Sequence, residues 1–316
     1  MKLSNKKLKR IMKNIDEYIN KITAHENIDY DLLDNIILDH IDIHYRFNYR
    51  LITEDKIYEG DGAFPEQHKL VKLILDEIES DIISNKLKDT YVFHLDYDFI
   101  KDLHIYIKSN KEKSINGGYV IDNEKYEDYN NIRWDKENNQ FRFAEIFIYN
   151  YEKDTNGLEE ILYHETKHLW DDYINISKKN YFLTDKVKKS LDNKFRKENI
   201  DETIKDIIYY SEDYEISAYI TQINGILGNK KFITIEDAFN EICKSSVYQN
   251  YKFVYYALNT SIYKNELLKH ISNKEYNRIK KNINNAWKKI INHTYIICCN
   301  HLRENRLSPS STSHKI

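Results

Sequence analysis

The chain has 316 residues, of which 41% are hydrophobic and 31% charged, with a net charge of −3. That length allows one large or two medium domains with a substantial core, and so even a charge balance gives no ground for a nucleic-acid or membrane partner. Twenty-seven tyrosines, with abundant Asn, Lys and Ile, read as the nucleotide bias of an AT-rich genome and fit a low-GC bacterium or one of its phages.

Met1 to Arg10 is basic but lacks a following apolar segment, and no run approaches membrane-spanning length. Cys243, Cys298 and Cys299 are too few, and too oddly spaced, for a disulfide framework, so a reducing, cytoplasmic setting is expected, or a virion for a phage product. Residues 6–48 carry apolar side chains at helical spacing (Leu8, Ile11, Ile15, Ile19, then Leu32, Leu33, Ile36, Ile37), which predicts two helices. His40 and His44 stand four apart there, but Ile41 follows the first, so no base accompanies them and they read as helix-face residues. An irregular stretch at 59–65 precedes a helix over 66–84, completing a helical N-terminal region at 1–88.

The period then shortens. Tyr91 to Leu95, Leu103 to Ile107, Tyr119 to Ile121 and Phe141 to Tyr149 read as strands, with a turn at Asn116-Gly117-Gly118 and a further sheet segment at Arg133-Trp134. After the turn cluster Asp154 to Gly157, a helix is predicted from Asn156 to Tyr173, with Asn156 as N-cap and Glu159 completing a capping box. Leu158, Ile161, Leu162 and Leu169 would bury it.

That helix carries His164-Glu165-Thr166-Lys167-His168. Histidines four apart stand one turn above each other, so both imidazoles can reach one metal ion. Glu165 can lie beside that ion as general base toward an activated water. A third ligand is expected from a helix over 209–219. Glu215 is favoured because Ala218, one turn on, lets the two helices approach closely, and Glu212 stays open as the alternative. Tyr219 or Tyr210 could donate to the oxyanion.

His164-Glu165-x-x-His168 with Glu215-Ile216-Ser217-Ala218 resembles the zincin metallopeptidases, in their glutamate-ligand branch, the gluzincins. The resemblance spans roughly residues 90–230. It implies an α+β, zincin-like fold: a mixed sheet packed on the H-E-x-x-H helix and on a second, glutamate-bearing helix. It also implies one zinc ion per chain held by His164, His168 and Glu215, with Glu165 as base and a peptide or protein as substrate. An edge strand would align that substrate, and Phe141 to Tyr149 is the choice for it. Where many gluzincins carry an acidic residue, four positions after the glutamate, this chain has Tyr219. Asp171, Asp172 or a backbone carbonyl must then orient the histidine. Two other readings use the same residues: a zincin fold kept as a structural or binding protein, such as a phage particle component, and a zinc hydrolase of a non-peptide amide.

Beyond the motif helices, Gly225 and Gly228 are expected to close the second one, and residues 174–206 to form a helical insertion around Val187 to Leu191. The catalytic region thus covers 89–230. A helical C-terminal region follows over 231–305, then a disordered tail at 306–316. His293, Cys298, Cys299 and His301 match no zinc-finger spacing and read as residues near a helix end.

Overall fold

The computed structural model describes residues 66–307, except 109–116, 120–131, 150–154, 180, 197, 228–229 and 231–234. The two helices expected over 6–48, His40, His44 and residues 308–316 of the expected tail lie outside the described residues. The described residues fall into two compact units, one up to Gly225 and the other from Ile226 onward.

The first unit is α+β, with a mixed sheet. Helix α1 (Gln67–Ile83) leads to strands β1 (Thr90–Tyr97) and β2 (Ile100–Lys108), then β3 (Gly117–Tyr119), β4 (Trp134–Asp135) and β5 (Gln140–Tyr149). The order across the sheet is β1-β2-β5-β3, with β4 also pairing β5. The β2/β5 pair is parallel and the others are antiparallel. Alternation fixes which face is buried: Tyr91 and Phe93, Leu103 and Ile105, and Ala144, Ile146 and Ile148 turn inward.

Helix α2 (Thr155–Lys179) packs on that face with α1. Leu158, Leu162 and Leu169 of α2 are wholly buried in one core with Leu70, Ile74 and Ile78 of α1, each burial contributing roughly 1.5–3 kcal/mol. Gln67 Nε2 donates to Tyr163 O at 2.8 Å and Thr166 Oγ1 at 3.0 Å, locking α1 onto α2. Helix α1, grouped with the N-terminal region on sequence, thus shares its core with the sheet.

Several local expectations differ. Helix α2 opens at Thr155, so Asn156 lies in its first turn rather than capping it. Gly117 and Gly118 pair with Ile148 and Phe147 as strand residues rather than forming a turn. Strand β5 is flanked by β2 on one side and by β3 and β4 on the other. Phe141 to Tyr149 is therefore an interior strand, and among the described residues β3 is the edge beside it. The insertion after α2 breaks where its centre was expected, into α3 (Leu183–Lys188) and α4 (Leu191–Arg196), because Ser190 Oγ accepts from Asn193 N at 3.1 Å and starts a new helix.

Helices α5 (Glu202–Tyr210) and α6 (Asp213–Leu227) follow, separated at Ser211 and Glu212. Gly225 does not end α6. It is buried inside the helix, where an added Cβ would meet Glu160 Cα and Tyr163 Cδ2 at 3.0 Å and Glu159 C at 3.1 Å, so α6 and α2 nearly touch there.

The second unit, described from 226 onward, is helical: α7 (Ile235–Lys244), α8 (Ser246–Asn259), α9 (Ser261–His270) and α10 (Asn273–Leu307). Its core stacks Trp287 on Tyr255, with ring centroids 5.8 Å apart, beside Tyr248. A reciprocal capping box starts α10, Ser272 N donating to Glu275 Oε2 and Glu275 N to Ser272 Oγ. His293 is buried on α10. The side chains of Cys298, Cys299 and His301 lie outside the described residues. No helix among the described residues is long and apolar enough to cross a membrane.

Candidate metal centre

Residues 162–169 of α2 are all buried, because the helix is sandwiched between the sheet, α1 and α6. His164 and His168, one turn apart, present their Nε2 atoms 3.2 Å from each other with rings near perpendicular. Glu215 comes from the first turn of α6. Its Oε2 lies 3.4 Å from His164 Nε2 and 3.7 Å from His168 Nε2.

Those three separations can be compared with a zinc tetrahedron. Metal–ligand bonds of about 2.0–2.2 Å put neighbouring donors roughly 3.3–3.6 Å apart. The triangle here measures 3.2, 3.4 and 3.7 Å, so the donors sit close to the corners such an ion needs. Burial works against the charge on Glu215, but the imidazoles of His168 and His164 outweigh it and hold the carboxyl well below the usual range. Burial likewise opposes protonation of His168, yet the charges of Glu215 and Glu165 outweigh it and raise the imidazole pKa. The two effects are one interaction, a buried carboxylate paired with an imidazolium, seen from either partner. His164, His168 and Glu215 together could hold a metal ion.

The alternative carboxylate is engaged elsewhere. Glu212 sits in the break between α5 and α6, and its Oε1 accepts from Leu191 N at 3.1 Å, capping α4. Glu165 is buried beside the triad, near Tyr149 at the end of β5. Burial, and then the Glu165 charge, raises the Tyr149 pKa.

The surroundings of the ligands differ from expectation. Asp171 pairs with Lys167. Asp172, fully buried, pairs with Arg133 and accepts from Leu183 N at 2.6 Å. Neither orients a histidine, since Nδ1 of both His164 and His168 is buried without a hydrogen-bond partner.

Tyrosines crowd the site instead. Tyr219 lays its ring against His164, centroids 4.5 Å apart. Its hydroxyl donates to that of Tyr210 and lies beside that of Tyr209. Tyr209 donates to Glu215 Oε2 at 2.8 Å. Burial, reinforced by the Glu215 charge, pushes the Tyr209 phenol far above its usual pKa, so it stays a donor. Burial pushes Tyr210 up to about 12, against the hydrogen bond from Tyr219. Sequence reasoning missed Tyr209. Nothing among 27 tyrosines singles it out, because its importance arises only where α5 ends against α6.

No family model, curated protein or solved structure matches the chain.

Proposed function

We propose that the chain is a zinc-dependent metallopeptidase of zincin type that hydrolyses internal peptide bonds. The observation that supports this most is the convergence of three buried donors from two helices with Glu165 adjoining the first of them. His164, His168 and Glu215 would hold the zinc ion. When bound, the ion would polarise the scissile carbonyl and acidify a water. Glu165 takes the proton from the attacking water and passes it to the leaving nitrogen. Burial of Glu165 beside Tyr149 restricts water around that transfer. Strand β3, at the sheet edge and packed on α2, is the segment against which an extended peptide would pair. For Tyr219 to donate to the oxyanion, its hydroxyl must exchange Tyr210 for the substrate oxygen.

One observation favours a second reading, a zincin-type fold kept as a binding or structural protein. The histidine Nδ1 atoms lack the carboxylate partners usual at catalytic zinc.

Zinc analysis and peptide-library cleavage separate the two. Wild type should take up one zinc per chain, His168→Ala and Glu215→Ala none. Glu165→Gln should keep its zinc while turnover falls roughly 10²–10⁴-fold. Zinc uptake without cleavage of any peptide would favour the structural protein, and cleavage confined to non-peptide amides would make it a different zinc hydrolase. A wild type that takes up no zinc would overturn the proposal.

A further inference from the structure

The charge is divided unevenly along the chain. Residues 226–316 hold 15 Lys and Arg against six Asp and Glu, a net of +9, whereas residues 1–225 hold 33 against 45, a net of −12. A genome bias toward lysine raises cations everywhere but does not remove acids from one segment. Three of the six acids are already engaged locally: Glu241 by Lys230, Glu266 by Lys269, and Glu275 in the α10 capping box.

On α10 the excess is ordered. Lys274, Arg278, Lys281, Asn285 and Lys289 are exposed and recur at spacings of three and four, the period of one helix face. Tyr276, Ile279, Ile283, Trp287 and Ile290 are buried on the opposite side. Lys274, Arg278, Lys281 and Lys289 make no ion pair among the described residues. At 1.5 Å per residue the row runs roughly 22 Å, with successive cations about 5–12 Å apart along the axis.

The composition of the face distinguishes its partners. A helix that lies on a membrane needs large apolar side chains free on its other side. Those of α10 are committed to the core, and no large hydrophobic residue of α10 is exposed among the described ones. The cations are accompanied instead by exposed Asn277 and Asn285, whose amides both donate and accept. Cations that neutralise phosphates, with amides that reach phosphate or base edges, suit a nucleic-acid duplex.

We propose that α10 is a nucleic-acid-binding face, on which Lys274, Arg278, Lys281 and Lys289 neutralise backbone phosphates while Asn277 and Asn285 hydrogen-bond to the duplex. The inference is independent of the metal centre. It reverses the expectation from the whole-chain charge, which sums two segments of opposite sign.

The test is fluorescence anisotropy of a labelled DNA duplex with the full chain over a salt series. Four phosphate contacts predict a slope of log K against log salt of about −3.6, and each single substitution, Arg278→Gln or Lys281→Gln, should reduce its magnitude by about 0.9. The quadruple Gln variant should bind at least about tenfold more weakly at low salt, with unchanged helicity by circular dichroism since all four positions are exposed. A control with Lys69, Lys72, Lys101 and Lys136 changed to Gln should bind like wild type. The proposal is overturned if wild type does not bind duplex at low salt, or if the single substitutions leave the slope unchanged. Equal losses in the control, or phosphatidylserine vesicles binding in preference to duplex, would overturn it too.

Discussion

One oxygen, Glu215 Oε2, faces both histidine nitrogens and also accepts the Tyr209 hydroxyl at 2.8 Å. A ligand so shared needs its orientation held, and a neutral donor does this without neutralising the carboxylate. Removing the hydroxyl leaves the ring packing and releases the carboxylate to rotate. Tyr209→Phe should therefore weaken zinc affinity about 10–100-fold, read by competition with a chelator, while the thermal midpoint of the metal-free protein changes little. Unchanged zinc affinity in this variant would assign the orientation of Glu215 to α6 alone.

At the scale of elements, the centre depends on how closely α6 approaches α2. Gly225 sets that distance, with two of the three nearest atoms belonging to the α2 backbone. Alanine would gain about 1 kcal/mol of helix propensity but must push the helices apart. Gly225→Ala should destabilise the fold by a net of up to about 2 kcal/mol in chemical denaturation and lower zinc affinity with it. A second element-level device is the turn from β4 to β5. Asp135 accepts from the side chain and backbone of Asn138 and from Glu137 N, bonds that lower its pKa, with Asn138 contributing most. A lowered folded pKa gives stability that is complete above the ordinary carboxylate range and lost as pH falls through the folded value. Wild type should thus exceed Asp135→Asn in stability at neutral pH, and the gap should close below about pH 4. Denaturation of both proteins across that range checks the sign.

For the whole molecule, the proposed metal binding would be linked to folding, because His164, His168 and Glu215 meet only in the folded first unit. Free zinc at a hundredfold excess over its dissociation constant should add about 2.7 kcal/mol, raising the midpoint by roughly 5–10 °C. His168→Ala should show no such response. The charge division along the chain belongs to this scale as well, since neither segment's sign is visible in the total of −3.

How far the sequence alone could be followed depends on the range of each interaction. His164, Glu165 and His168 were legible because a helix repeats every 3.6 residues, and that local rule puts two imidazoles on one face without reference to the rest of the chain. The strands of the sheet were legible for the same reason, from alternation at period two. Glu215 could be preferred from Ala218, and the fold sets it beside both histidines while Glu212, in the break before α6, caps α4. The interior place of β5, the close contact at Gly225, the pairing of Asp172 with Arg133 and the reach of Tyr209 to Glu215 join residues brought together only by folding. Periodicity determines which faces are apolar. Which face meets which is a property of packing, and the surroundings of the candidate metal centre are made of such meetings.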